Sequence, residues 1–183
     1  MTRLYLVRHG RAAAKFGEAD DPGLDETGRS QAEAVAKRLA PLGSLGLRTS
    51  PLKRARETSE PLARRWLRDA IVEPAVAEIP QPAGMDLAQR ADWLRGFMRG
   101  SWRNAPREYA QWREDLLAVL GALQDDTVVF SHFVAINVAT GFAEGDDRVA
   151  IFRPDNGSVT ILDADSGTLR LVARGNEGET KVN

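Results

Sequence analysis

The chain reads as one α/β domain, and three observations predict it. Its 183 residues are 43% hydrophobic and 28% charged, the make-up of a soluble globule long enough to bury a proper core. Short apolar runs of strand length alternate with segments whose apolar residues recur at helical spacing. Both histidines of the chain stand at the end of such a run, His9 with Arg8 after Met1 to Val7 and His132 with Ser131 after Thr127 to Phe130. The carboxyl end of a strand in an α/β sheet is where ligands bind.

The elements follow in order. Met1 to Val7 is a buried strand, and Arg8-His9-Gly10 stands where it ends. Arg11 to Leu24 is a loop rich in Gly, Asp and Pro, of a length that is often functional. Asp25 caps a helix in which Ala32, Val35, Ala36 and Leu39 share a buried face, opposite Arg29, Glu33 and Lys37; Pro41 and Gly43 end it. Leu45 to Ser50 is a second strand. Ser50 then reads as an N-cap with Pro51 at the first helical position, and the helix runs to about Trp66. Lys53, Arg54 and Arg56 in its first turn oppose the helix dipole, an arrangement that makes sense if an anion sits there. Ala70 to Ala77 is a third strand leading into Glu78-Ile79-Pro80-Gln81-Pro82, a loop.

Asp86 opens a helix with Leu87, Ala91, Leu94 and Met98 on one face, near the packing aromatics Trp93, Phe97 and Trp102. Pro106 opens a long helix carrying Tyr109, Trp112, Leu116, Leu120 and Leu123 as core. Thr127 to Phe130 is a buried strand ending at Ser131-His132, followed by a helix from Val134 to Thr140 that stops at Gly141. Short strands at Val149 to Arg153, Val159 to Leu162 and Leu169 to Arg174 are linked by turns at Asn156-Gly157 and Ser166-Gly167. One domain therefore covers 1–174, and 175–183 is a loose polar tail.

Composition narrows the function. A net charge of -1 gives no electrostatic footprint for nucleic acid. Zero cysteines exclude disulfides, thiolate catalysis and cysteine-ligated metal. No signal peptide and no membrane span is visible, so a cytoplasmic location is expected; no oligomeric state is specified. The chemistry concentrates in Arg8-His9-Gly10. A histidine at a strand end can be base, nucleophile or metal ligand. An arginine beside it can grip phosphate or carboxylate through two parallel hydrogen bonds, and glycine lets an anion approach the backbone. The same three residues also describe a strand end with a surface arginine and a packed histidine.

Four pieces in order separate these readings: Leu6-Val7-Arg8-His9-Gly10, Ser50-Pro51-Leu52-Lys53-Arg54-Ala55 with Thr58, Glu78 after a strand, and Ser131-His132 after a strand. With the helix start at Leu24, Gly28 and Gln31-Ala32, the sequence resembles the histidine phosphatase superfamily, the phosphoglycerate mutase-like proteins, from Leu4 to about Ile161. That resemblance implies a three-layer α/β/α sandwich around a mostly parallel sheet. It implies that His9 becomes phosphorylated, that Arg8, Arg54 and His132 hold the phosphoryl oxygens, and that Glu78 donates a proton to the leaving group.

The residues support such chemistry independently. A phosphate monoester is a dianion, so transfer depends on positioning and charge stabilisation. Two arginines and an imidazolium at His132 would surround it, with Gly10 and Phe133 completing the substrate contacts. Covalent capture on a neutral His9 splits one hard hydrolysis into two easier steps. No metal or cofactor is needed. Arg56 competes with Arg54 as the clamp, and Glu73, Asp20 or Asp21 compete with Glu78 as the proton donor.

The chain departs from the family pattern at two points. Many members carry asparagine five residues after the first histidine, where this loop has Ala12-Ala13-Ala14 and then Lys15. Many carry glycine after the second histidine, where Phe133 stands, which predicts a narrower and more apolar pocket. The family's cofactor-dependent mutases are longer, which favours a phosphatase over a mutase. The expected partner is a phosphorylated small molecule, with a phosphoprotein as a second option, and neither nucleic acid nor membrane. A non-catalytic phospholigand-binding module remains as a third function; it would be expected to have lost at least one of Arg8, His9, Arg54 and His132.

Overall fold

The computed structural model describes residues 1–15 and 18–178. Six strands form one sheet: β1 (Thr2–Arg8), β2 (Gly46–Thr49), β3 (Ile71–Val72), β4 (Thr127–Ser131), β5 (Val159–Asp165) and β6 (Thr168–Ala173). Their order is β3-β2-β4-β1-β5-β6. β3, β2, β4 and β1 run parallel, and β5 and β6 complete the sheet antiparallel. Five helices cover it: α1 (Glu26–Leu39), α2 (Lys53–Trp66), α3 (Leu87–Phe97), α4 (Arg107–Gly121) and α5 (Phe133–Glu144). The mostly parallel α/β/α sandwich expected from the sequence is the observed fold.

Side-chain alternation along the strands creates the two cores. Leu4, Leu6 and Val129 face a cluster with Leu94 of α3, Tyr109, Leu116 and Leu120 of α4, and Val134, Ile136 and Val138 of α5. Val7, Val128 and Phe130 face the other way, onto Val35, Ala36 and Leu39 of α1 and Leu62 of α2. β4 is buried on both faces, and β1 is buried on both faces from Leu6 to Arg8, which is why their central residues read as apolar runs.

Register then positions the site. β1 pairs with β4 so that Arg8 lies opposite Ser131, and β4 pairs with β2 so that Phe130 lies opposite Thr49. The residues after all three strands therefore leave the sheet at one edge: His9, His132 and the Ser50-to-Arg54 segment. No helix among the described residues is long and apolar enough to cross a membrane.

Several local expectations are corrected. The strand expected at Ala70 to Ala77 shrinks to Ile71–Val72, because Pro74 starts a 3-10 turn whose first N–H groups are capped by Glu73. Val149 to Arg153 is no strand: the N–H groups of Ile151 and Phe152 donate to the Asn137 side-chain oxygen instead of a ladder. α5 passes through Gly141 and ends at Gly145, which supplies the left-handed cap. α2 begins at Lys53, not at Pro51, since Leu52 is extended. The Lys53 N–H donates to the carboxylate of Asp21, 2.9 Å away, so the anion at this helix start belongs to the chain itself. The loose tail expected from Gly175 is bonded back as far as Gly178: Gly175 N–H donates to Thr160, and Gly178 N–H to the Arg153 carbonyl. The remainder of that tail, 179–183, lies outside the described residues.

Candidate active site

His9 and His132 meet at the sheet edge with ring centroids 5.1 Å apart. The backbone N–H of His9 donates to the Ser131 carbonyl, which ties the two strand ends together. His9 Nδ1 lies 2.7 Å from the Gly10 carbonyl oxygen, which can only accept, so Nδ1 carries the proton. The lone pair is then on Nε2, where it accepts a 3.1 Å hydrogen bond from Arg54 Nε. His132 is fully buried behind His9, with Nε2 2.7 Å from the Ser50 hydroxyl and Nδ1 without a hydrogen-bond partner.

Two arginines frame this pair. Arg8 donates from one terminal nitrogen to the Pro154 carbonyl, its guanidinium lies over the Phe133 ring at 5.3 Å, and its Nε is buried with no partner. Burial, with Arg54 nearby, pulls its pKa down to about 10, against the raising effect of Glu78 and Asp155, and it remains charged near neutral pH. Arg54 lies on the first turn of α2, buried against His9, and burial lowers its pKa as well. Arg56, two residues on, is exposed, which excludes it from this cluster.

The same burial and the same two cations act on the imidazoles. His9 titrates well below the ordinary 6.5 because of burial first, then Arg54 and Arg8. His132 is lowered by burial first, then by Arg54, His9 and Arg8. The imidazolium expected at His132 is therefore corrected: burial and the two arginines favour the neutral form of both rings, and the fixed positive charge beside them comes from Arg8 and Arg54.

Glu78 enters from the segment before Pro80. Its carboxylate accepts from the N–H groups of Ile79 and Val134, the latter in the first turn of α5. Those donors and the arginines favour the charged form, yet burial outweighs them and raises its pKa above the ordinary carboxylate range. The competing carboxylates are otherwise engaged. Glu73 pairs with Arg48 at 3.0 Å, Asp20 pairs with Arg90 at 2.8 Å, and Asp21 caps α2.

These groups open on a cavity of about 820 Å³ lined by Arg8, His9, Arg54, Glu78 and Phe133, with Ala12, Ala13, Ala14 and Lys15 on the loop side. Gly10 does not line it. Its N–H donates to Thr58, and a side chain there would meet the Gly28 carbonyl oxygen at 2.5 Å, so this glycine serves backbone packing against α1 and not contact with an anion. His132 also stays outside the lining and reaches the cavity only through His9. Among the described residues no three His, Asp or Glu side chains gather closely enough to hold a metal ion.

The structure thus brings His9, Arg8, Arg54 and Glu78 together on one cavity. The family model of the histidine phosphatase superfamily (branch 1) matches residues 4–177. The chain belongs to that superfamily.

Its relatives within the superfamily are diverse. It is 39% identical over 84 residues to a probable phosphoglycerate mutase of Photorhabdus laumondii, covering 43% of this chain and 39% of the relative. It is 33% identical over 120 residues to an uncharacterised Mycobacterium tuberculosis protein, covering 61% of this chain and 54% of the relative. The matches thus span about half or less of those curated relatives. Among solved structures, YhfR of Bacillus stearothermophilus superposes with a TM-score of 0.77 at 21% identity over 97% of this chain and 98% of the other. A mycobacterial glucosyl-3-phosphoglycerate phosphatase gives 0.75 at 22% identity over 97% and 100%. These structures share the fold.

For this histidine phosphatase superfamily member, sequence reasoning missed two residues at the cavity. Asn156 lines it and donates from its side-chain amide to the His9 carbonyl, 2.9 Å away, although Asn-Gly had signalled only a turn. Arg90 lines it from α3, where its place on a helix face gave no sign of the loop that faces it.

Proposed function

We propose that this chain is a metal-independent phosphatase that hydrolyses a phosphomonoester through a phosphohistidine on His9. One observation carries the reading: the His9 Nε2 lone pair is presented to a cationic cavity with Nδ1–H anchored on the Gly10 carbonyl. Arg8 and Arg54 match the two charges of a phosphate monoester. The phosphoryl group takes over the Arg54 N–H, and Nε2 attacks phosphorus. As the N–P bond forms, the P–O bond to the alcohol breaks, and the departing oxygen takes the proton of Glu78. The Gly10 carbonyl stabilises the positive charge left on the ring. Glu78, now a carboxylate, removes a proton from water. That water attacks phosphorus, the N–P electrons return to Nε2, and inorganic phosphate leaves with Glu78 reprotonated. His132, held by the Ser50 hydroxyl, backs the His9 ring at 5.1 Å between centroids and fixes its position.

The cavity size fits a small phosphorylated molecule. The test is phosphate release from a panel of phosphomonoesters by the wild type and by His9→Ala, both with EDTA. Release by the wild type alone is expected. Release that survives His9→Ala, or that EDTA abolishes, contradicts the mechanism. Product analysis separates a mutase, which returns the phosphoryl group as an isomeric ester and frees no phosphate.

A further inference from the structure

The loop before β5 holds both Arg8 and His9. The Arg8 N–H donates to the Ser158 carbonyl at 3.1 Å, and the Arg8 carbonyl accepts from the Gly157 N–H at 2.9 Å. The His9 carbonyl accepts from the Asn156 side-chain amide at 2.9 Å, and a terminal nitrogen of Arg8 donates to the Pro154 carbonyl at 2.8 Å. Pro154 to Ser158 therefore fix the main chain of this pair and the guanidinium as well. Of these five residues only Asn156 lines the cavity.

The chain after β6 returns to that loop and bonds to it. The Asp155 N–H donates to the Asn176 carbonyl at 2.8 Å, and the Gly178 N–H donates to the Arg153 carbonyl at 3.2 Å. The Arg153 N–H donates to the Glu177 carboxylate at 3.3 Å, and Pro154 faces Glu177 in an antiparallel bridge. The approach is close: a side chain at Gly178 would overlap the Asp155 carboxylate, which itself accepts from the Asn156 N–H at 2.8 Å. None of residues 175–178 lines the cavity.

The His9 ring is set by its own backbone. Its Nδ1–H is anchored on the Gly10 carbonyl, so the ring follows any tilt of the chain at 9–10. The peptide between His9 and Gly10 is pinned twice, its carbonyl by Asn156 and its N–H by Thr58. We infer that Asn176 to Gly178 form a positioning strap, and that Asn156 is the positioning residue through which it holds His9, and Pro154 the one through which it holds Arg8, in line with the phosphoryl group. The inference rests on the phosphatase reading above. A misplacement of about 1 Å at such a site costs on the order of 10²-fold in rate.

The test uses the full chain with Asn156→Ala, which removes the amide, and Gly178→Ala, which pushes on Asp155 from outside the cavity. Gly96→Ala is the control, since its added carbon meets nothing within 4 Å. Urea melts first set conditions under which every variant is folded. There, kcat/KM for 4-nitrophenyl phosphate should fall about 10- to 100-fold in Asn156→Ala and several-fold in Gly178→Ala, and stay unchanged in the control. The double variant should lose less than the product of the two single losses. A strap that only stabilises the fold would lower the urea midpoint and leave kcat/KM of the folded protein intact. That result, or losses that multiply, would overturn the inference. Imidazole ¹⁵N spectra need no turnover, and the chain has only two histidines to resolve. The His9 Nε2 resonance should shift in both variants and hold in Gly96→Ala. An unmoved resonance in either variant overturns the inference whether or not the wild type releases phosphate. Shifted resonances in a wild-type background that releases none contradict the phosphatase reading alone.

Discussion

At the scale of single residues, the site depends on opposite effects of one burial. The desolvation that favours neutral His9, as the proposed attack requires, also favours the protonated form of Glu78 above the ordinary carboxylate range. A neutral carboxyl is useful only where the departing oxygen is basic. We therefore expect Glu78→Gln to slow release from an alkyl phosphate by about 10²- to 10⁴-fold, the usual worth of a positioned general acid, and to slow the phosphoryl-transfer step with 4-nitrophenyl phosphate far less. Burst-phase kinetics on the two esters measures this; equal losses would assign the proton to another group. Most of this residue set was legible in the chain. Arg8, His9 and His132 stand at the ends of β1 and β4, whose apolar runs are plain in the sequence, Arg54 follows the Ser50-Pro51 signal, and register brings these ends together. Neutrality of His132 was not legible, because it comes from the depth of burial and from cations supplied by other elements. Gly10 was misread for a related reason: the atom that crowds it, the Gly28 carbonyl oxygen, belongs to a helix eighteen residues away along the chain.

At the scale of elements, the loop after β1 is held to α1 by backbone against backbone. A side chain at Gly28 would meet the Arg11 carbonyl oxygen at 2.1 Å, and neither partner can move aside as a flexible side chain would. Gly28→Ala should cost about 1–3 kcal/mol, read as a lower urea midpoint at unchanged slope. Gly96→Ala is the matching control: no atom lies within 4 Å of its added carbon, near the exposed end of α3, so helix propensity should stabilise it by up to about 1 kcal/mol. A neutral result at Gly28 would mean that the loop and α1 separate freely. Elements were legible where periodicity and capping agreed, as at α1, whose Asp25 cap accepts from the Gly28 N–H at 2.7 Å. They were misread where a side chain from elsewhere satisfied the backbone. Asp21 starts α2 two residues later than Ser50-Pro51 suggests, and Asn137 occupies the N–H groups that would have made 149–153 a strand.

At the scale of the whole molecule, the buried histidines make stability depend on pH. Their folded pKa values lie well below 6.5, so the unfolded chain takes up protons first as the pH falls. Their contribution is complete above pH 6.5 and is lost as the pH drops below it. Glu78 acts in the opposite sense. Its raised folded pKa gives a contribution complete below 4.5 and lost as the pH rises through the folded value. Thermal melting should therefore fall on acidification below pH 6.5, and Glu78→Gln, which removes the opposing group, should steepen that fall. An unchanged slope would place the carboxyl at its ordinary pKa. In the proposed function, the fold and the charge balance serve one event, the transfer of phosphorus to an imidazole nitrogen. The most direct measurement is to mix the protein with a ³²P-labelled phosphomonoester, quench in base within a turnover, and map the label. The account predicts an acid-labile, base-stable label on the peptide that carries His9, absent from His9→Ala. Turnover with no label on the protein, or a label that persists when His9 is replaced, would contradict it.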